Sequence, residues 1–297
     1  MLIALLIPLT LAAIVCMTVL LRAVIRQRAY PSFEAMVLGA VVSFFDTLGI
    51  GSFAPTAAWF KFRKLVPDRL IPQTMLVGLT PPSMLQGFIY LILLGVMVDP
   101  VLLVGCILAC VMGGLIGAPI VTKARVWVVQ LVVAIGLMLA AGAYTLANLH
   151  MMPGGGAASS LPLSLTVLAI VASFIFGVLL NFGVGNYAPT LVMLSLMGMD
   201  PRLCFPIMAA SAGLMGGAAS VRHIQMGQMD LKIVFGITLG GFPAVLVAAL
   251  IVKEMPVETL RWLVIVVVVY AAAVMARSAW LGWKGDRSGV PLEATAG

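Results

Sequence analysis

Nine apolar stretches dominate the sequence, and at about 20 residues or more each is long enough to cross the hydrocarbon core of a bilayer as a helix. They are Leu2–Leu21, Phe33–Phe60, Pro72–Val98, Val101–Val121, Val126–Leu149, Leu161–Met197, Leu203–Val221, Leu231–Val252 and Val257–Trp280. Of the 297 residues, 63% are apolar and 9% are charged, whereas soluble domains carry about 25% charged residues. The pattern predicts an all-α polytopic membrane protein without a separate soluble domain.

The charge and cysteine content exclude several other classes. The net charge of +7 is typical of the cytoplasmic loops of a membrane protein, so no nucleic-acid partner is expected and membrane lipid is the expected surroundings. The four cysteines lie in apolar stretches without CxxC spacing, which argues against a zinc site or a disulfide framework. The sequence therefore predicts no metal and no cofactor.

Two of the apolar stretches are interrupted by the same motif. Thr47–Thr56 (TLGIGSFAPT) aligns with Asn181–Thr190 (NFGVGNYAPT) at a shift of 134 residues, with five of ten positions identical. A glycine-rich linker at 150–160 lies between them, as expected between two homologous halves. We expect an N-terminal anchor helix at 1–30, one repeat at 31–149, the other at 161–282 and a cytoplasmic tail at 283–297.

Each motif predicts a helix that breaks and starts again. Glycines at alternate positions allow the backbone to unwind, and Pro55 and Pro189 suit the first turn of a new helix. The start of that helix offers unpaired N–H groups and the positive end of its dipole, which suit an anion. Broken helices at matching places of two repeats are typical of secondary transporters. A pair of glycine-rich packing kinks is the alternative interpretation.

The expected ligands of a small anionic substrate are the polar and backbone groups beside the two breaks. Thr56 and Thr190 have the alternative of bonding their own helix turns, and polar residues after the first motif, such as Gln86, either face a cavity or join helices. The candidate substrate-binding residues are Gly49, Gly51, Ser52, Thr56, Gln73, Gly183, Gly185, Asn186, Tyr187 and Thr190.

Asp46 is an acidic residue inside an apolar stretch, immediately before the first motif. A carboxyl group in such surroundings is a functional candidate by default, and protonation is a low-cost way to remove its charge. Asp46 is therefore a candidate proton-coupling residue, with capping of nearby backbone N–H groups as the alternative. Its counterpart in the second half is Leu180, so any coupling would be asymmetric.

The distribution of the basic residues indicates which segments cross the membrane. If both interrupted stretches cross the membrane, eight basic residues lie inside and nine outside; if both re-enter, fourteen lie inside and three outside. The positive-inside rule favours the second count. It predicts re-entrant hairpins, an external N-terminus, a cytoplasmic C-terminus and two inverted repeats.

At these motifs the chain resembles the TauE/SafE family, also called the sulfite exporter or 4-toluene sulfonate uptake permease family. Gly49-Ile50-Gly51 with Pro55, and Gly183-Val184-Gly185 with Pro189, carry the resemblance, which extends over Phe33–Trp280. The chain departs from the common Gly-Ile-Gly-Gly-Gly run at Ser52 and Asn186. The resemblance implies a bacterial inner-membrane permease for sulfite, sulfonates or related organic anions, and a homodimer.

Two other functions use the same features. A passive anion channel would rely on the same helix-dipole chemistry, and discrimination requires a test of concentrative transport. An intramembrane serine hydrolase would need a base beside Ser52, but His150 lies in the linker and His223 at a membrane edge, so neither is well placed. The chain is predicted not to be an enzyme.

Overall fold

The chain folds into α-helices joined by short connections. The computed structural model describes residues 2–49, 51–67, 70–121, 126–149, 156–180, 186–227 and 229–288. In these ranges the helices are α1 (Leu2–Gln27), α2 (Phe33–Thr47), α3 (Phe53–Arg63), α4 (Ile71–Leu93), α5 (Pro100–Val121), α6 (Val126–Asn148), α7 (Leu163–Leu180), α8 (Tyr187–Leu196), α9 (Phe205–Met226), α10 (Leu231–Glu254) and α11 (Val257–Ser288).

The predicted fold class is confirmed. Across the described ranges six helices are long and apolar enough to cross a membrane, and the only β-type pairing is an isolated bridge between Ala158 and Met199. α11 continues to Ser288, so the segment predicted as a tail from 283 begins inside that helix.

Both interrupted stretches break where the motifs indicate. α2 ends at Thr47 and α3 begins at Phe53, while α7 ends at Leu180 and α8 begins at Tyr187. The starts of α3 and α8 are 134 residues apart, which equals the shift between the motifs. Each motif proline is the third residue of its new helix, within the first turn, where its missing N–H group leaves no internal bond unmade.

The first broken pair, α2 and α3, folds back as a hairpin. Arg63, the last residue of α3, places its Nε 2.8 Å from Oε1 of Glu34 in the first turn of α2. Trp59 Nε1 donates to the same carboxylate oxygen at 3.1 Å. The end of α3 therefore lies beside the start of α2, as in a re-entrant path.

The second broken pair, α7 and α8, closes in the same way through its backbone. The N–H of Ala158, just before α7, donates to the carbonyl of Gly198, just after α8, at 3.2 Å. The N–H of Asp200 donates to the carbonyl of Ala158 at 3.0 Å. Passage of these hairpins into and out of a membrane stays a prediction that their shape supports.

The helices form two compact units. One comprises residues 1–96 and 206–254, with α1 to α4, α9 and α10; the other comprises residues 97–205 and 255–297, with α5 to α8 and α11. Each unit thus combines helices from both sequence halves. The division into repeats at 31–149 and 161–282 concerns the sequence and stays a prediction.

In the first unit, α2 and α4 run in the same direction as α10. Thr74 Oγ1 of α4 accepts from the N–H of Asp230 just before α10 at 3.1 Å, and Thr238 Oγ1 donates to the Gly78 carbonyl at 3.1 Å. On α2, Gly39 lies against the backbone of Ile237. Because α2 and α4 are parallel, α3 must return the chain to the end at which α2 started.

The same close helix packing occurs once in each unit. The parallel pairs α2 with α10 and α7 with α5 meet through small residues, which allow two backbones to approach closely. The matching contacts are Met36 with Gly236 and Ile170 with Gly105, then Ser43 with Gly241 and Gly177 with Cys110. In each match, the first-named residues of the two contacts are 134 positions apart in the sequence, and the second-named residues are 131 positions apart. This correspondence supports the predicted structural repeat.

The hairpin predicts the sidedness of two positions. Tyr30, before α2, and Phe62, near the end of α3, are 77% and 78% exposed. Tyr30→Cys and Phe62→Cys should react with an impermeant maleimide from the same side of the membrane. Ile3→Cys, at the opposite end of α1, should react from the other side. The four native cysteines are buried and should react slowly. Labelling of positions 30 and 62 from opposite sides would contradict the hairpin.

The helix contact at Gly177 predicts a loss of stability. A Cβ at Gly177 would clash with the backbone carbonyl of Cys110, whereas a Cβ at Gly136 on α6 meets no atom of the described chain within 4 Å. Gly177→Ala should destabilise the folded protein by about 1–3 kcal/mol. Gly136→Ala should stabilise it by up to about 1 kcal/mol through helix propensity. Thermal unfolding in detergent measures both, and equal effects would argue against the contact.

Candidate functional site

The break between α2 and α3 requires glycine for conformational reasons. Gly49 and Gly51 have φ angles of 95° and 88°, in the left-handed region that side chains disfavour. At Gly51 a Cβ would meet no described atom within 4 Å, so the backbone angle is the reason for glycine here. Ile50, between them, lies outside the described residues.

The side chain of Asp46, on α2, forms hydrogen bonds across this break. Its carboxylate accepts from Gln86 Nε2 of α4 at 3.0 Å, and from the backbone N–H and the hydroxyl of Ser52 just before α3. Asp46 is 6% exposed, Gln86 0% and Ser52 2%. The Asp46 carboxyl group therefore lies at the N-terminal end of α3, where the helix dipole favours its charged form.

These contacts bear on the two interpretations of Asp46. The bond from the Ser52 N–H is the capping contact of the alternative interpretation. The same burial isolates the carboxyl group from water, as the coupling interpretation requires. The contacts therefore allow both roles, and proton coupling stays a prediction.

α4 holds the last turn of α2 at two points. Gln86 and Tyr90 are four residues apart and share one face of α4. Tyr90 donates its hydroxyl to the carbonyl of Thr47 at 2.8 Å, one residue after the Asp46 carboxylate that Gln86 contacts. Tyr90 was not among the sequence candidates; its position one helical turn after Gln86 is the signal that could have indicated it.

Two of the candidate substrate-binding residues, Thr56 and Gln73, lie apart from the contacts of Asp46. Thr56 donates its hydroxyl to the Ser52 carbonyl at 2.7 Å, the bond to its own helix turn that was the alternative interpretation. Gln73 lies on α4 thirteen residues before Gln86, which is about 20 Å along a helix. The structure thus places Gln73 toward the other end of α4, and Gln86 beside Asp46.

The second break is described only from Asn186 onward. Gly183 and Gly185 lie outside the described residues. Asn186, Tyr187 and Thr190 at the start of α8 are all buried. The amide nitrogen of Asn186 lies 4.0 Å from Cys110 Sγ of α5. The described part of this break therefore presents amide and hydroxyl groups in an apolar setting.

The described groups at the two breaks are backbone N–H, amide and hydroxyl groups, together with the Asp46 carboxyl group. Within the described ranges no cluster of three His, Cys, Asp or Glu could hold a metal ion. Ser52 directs its hydroxyl to Asp46. Backbone N–H, amide and hydroxyl donors at helix starts bind oxyanions.

Comparison with known proteins identifies a family domain in the second half of the chain. Residues 165–296 match the family described as Sulfite exporter TauE/SafE. This range begins in α7 and includes the second motif, α8 and the helices up to α11. No curated protein and no solved structure matches the chain.

The backbone at Gly51 predicts the effect of two substitutions. Gly51→Ala should destabilise the protein by about 1–2 kcal/mol, because alanine is strained at a positive φ even where there is space. Gly51→Asn should cost less, because asparagine tolerates the left-handed region better. Thermal unfolding in detergent compares the two, with Gly136→Ala as the control. A larger loss for asparagine than for alanine would contradict this explanation.

Proposed function

We propose, from the TauE/SafE domain detected at residues 165–296, that the chain is a secondary transporter. Its proposed substrate is sulfite, a sulfonate or a related small organic anion. The TauE/SafE family is one of membrane transporters, and the six helices able to cross a membrane agree with a multi-pass protein. We further propose a bacterial inner-membrane location with the N-terminus outside and the C-terminus in the cytoplasm.

The observation that carries the proposal is the pair of broken hairpins. In each, a short helix begins after a glycine motif, and the ends of the hairpin are tied together by contacts at its base. A helix that starts within a membrane-embedded hairpin exposes N–H groups away from bulk water, and those groups need an acceptor, which an anion can supply. This is the arrangement of substrate and ion sites in secondary transporters.

The proposed substrate ligands are the groups at these helix starts. At the second break they are backbone N–H groups with Asn186, Tyr187 and Thr190, together with Gly183 and Gly185 of the motif. At the first break they are Gly49, Gly51 and Ser52, with Thr56 and Gln73 as more distant members. Sulfite and sulfonates present several oxygen acceptors, so many weak donors can bind them without a resident cation.

A proton-coupled carrier and a passive channel differ in whether they can concentrate the substrate. A carrier coupled to protons accumulates its substrate when a pH gradient is imposed, whereas a channel only equilibrates it. Uptake of radiolabelled sulfite into proteoliposomes, with and without a pH gradient, separates the two. Concentrative uptake supports the transporter; equilibration that a pH gradient does not change favours a channel.

Asn186 is the residue at which the proposed substrate site is tested most directly. Asn186→Ala removes an amide donor, and loss of one hydrogen bond to a charged group costs about 1.5–3 kcal/mol. The KM for sulfite exchange should therefore rise at least about tenfold. Gln225→Ala, at an exposed position on α9, is the control and should leave the KM unchanged. An unaltered KM in the Asn186 variant would remove this residue from the site.

A further inference from the structure

We propose that Gln86 and Tyr90 are positioning residues that hold Asp46 against the start of α3, so that the first break takes up a proton while the second binds the substrate anion. This inference rests on the proposed transport function and narrows its substrate site, because it keeps the second helix start for the anion and leaves the first helix start, with Ser52, to Asp46. It assigns different tasks to two motifs that share five of ten positions.

The start of α3 already has an anion of its own. The Asp46 carboxylate accepts from both the N–H and the hydroxyl of Ser52. These donors lie where an external anion would bind. A substrate anion at the same place would face an ionised carboxylate in apolar surroundings, where like charges repel strongly. The first break is therefore poorly suited to substrate while Asp46 is charged.

α4 determines where this carboxylate lies. Gln86 donates to Asp46 Oδ2 at 3.0 Å and Tyr90 donates to the Thr47 carbonyl at 2.8 Å. One contact directs the side chain of Asp46 and the other holds the adjacent backbone. Gln86 and Tyr90 are both fully buried, so water does not compete for these bonds.

A proton is the group that can neutralise the Asp46 carboxylate. In the described part of the chain, its polar neighbours are Gln86 and Ser52, Tyr90 is the titratable group that faces it, and no cation contacts it. The α10 residues packed on α2 include Gly236, Ile237 and Gly240, which carry no charge. The step is the simple binding of a proton by a carboxylate to give a neutral carboxyl group.

The second motif has no acidic residue at the position that matches Asp46. The residue that corresponds to Asp46 is Leu180, and the residue that corresponds to Ser52 is Asn186. Leucine supplies no charge to the start of α8, while the buried Asn186 supplies an amide. The sequence therefore gives the start of α8 no counterpart of the Asp46 carboxylate, and this favours the second break as the one that binds the substrate anion.

The test is a pH titration of Asp46 that does not depend on transport. Infrared difference spectra of the purified protein follow the carboxyl band, which Asp46→Asn identifies by its loss. Gln86→Leu removes a donor to the charged form, so the titration midpoint should move to higher pH by about one unit. Gln86→Glu keeps the shape but places a second carboxyl group beside Asp46, so the pair should titrate in two separate steps.

Transport measurements complete the test with matched variants. Asp46→Asn should retain sulfite exchange but lose stimulation by a pH gradient. Asp230→Asn, which changes an aspartate that accepts from Lys232 and Ile233 N–H groups at the start of α10, should retain both. In the Asp46→Asn background, Gln86→Leu should have no further effect on pH dependence.

The outcomes distinguish the two proposals. An Asp46 titration that Gln86→Leu and Gln86→Glu leave unchanged overturns the positioning role, whatever the transport result. A tenfold KM increase for sulfite in Ser52→Ala with no change in Asn186→Ala overturns the division of tasks. Absence of anion transport by the wild-type protein, together with the expected titration shifts, overturns the transport function and leaves the positioning role supported.

Discussion

The structure depends on the need to satisfy backbone hydrogen bonds where a helix is interrupted inside an apolar environment. An interruption frees N–H and C=O groups that lipid cannot satisfy. At the first break, the Gly49 N–H reaches the Asp46 carbonyl, the Ser52 N–H reaches the Asp46 carboxylate, and the Thr47 carbonyl accepts from Tyr90. Side chains of α2 and α4 thus replace the missing helical bonds. The polar groups that satisfy the first break thus come from Asp46 itself and from Tyr90 of the neighbouring helix.

The two hairpins are closed at their bases by different contacts. The first is closed at its base by the Glu34–Arg63 ion pair, and the second by backbone bonds between Ala158 and the segment after α8. Both are held by a long helix packed in parallel through glycines, α10 for α2 and α5 for α7. Equivalent frames therefore carry motifs of different polarity, with Asp46 before the first motif and Leu180 at the matching place before the second.

Much of the local structure could be predicted because it is local in origin. Gly49 and Gly51 need positive φ, and Pro55 and Pro189 belong in a first helical turn, so the break and the restart of each helix follow from residue type. The bond of Thr56 to its own helix turn, which was the alternative interpretation of this residue, also depends on one helical turn only. The choice between Gln73 and Gln86 could not be made in this way, because it depends on which level of α4 lies beside Asp46.

The sequence by itself determined the membrane class, the positions of both breaks and the asymmetry between Asp46 and Leu180, since each depends on residue type and short-range spacing. The tertiary structure alone decided that each compact unit combines helices from both halves, that α2 and α4 run parallel, and that Gln86 and Tyr90 hold the Asp46 segment. These depend on contacts between residues about 40 to 200 positions apart, set by how helices pack once every polar backbone group has a partner.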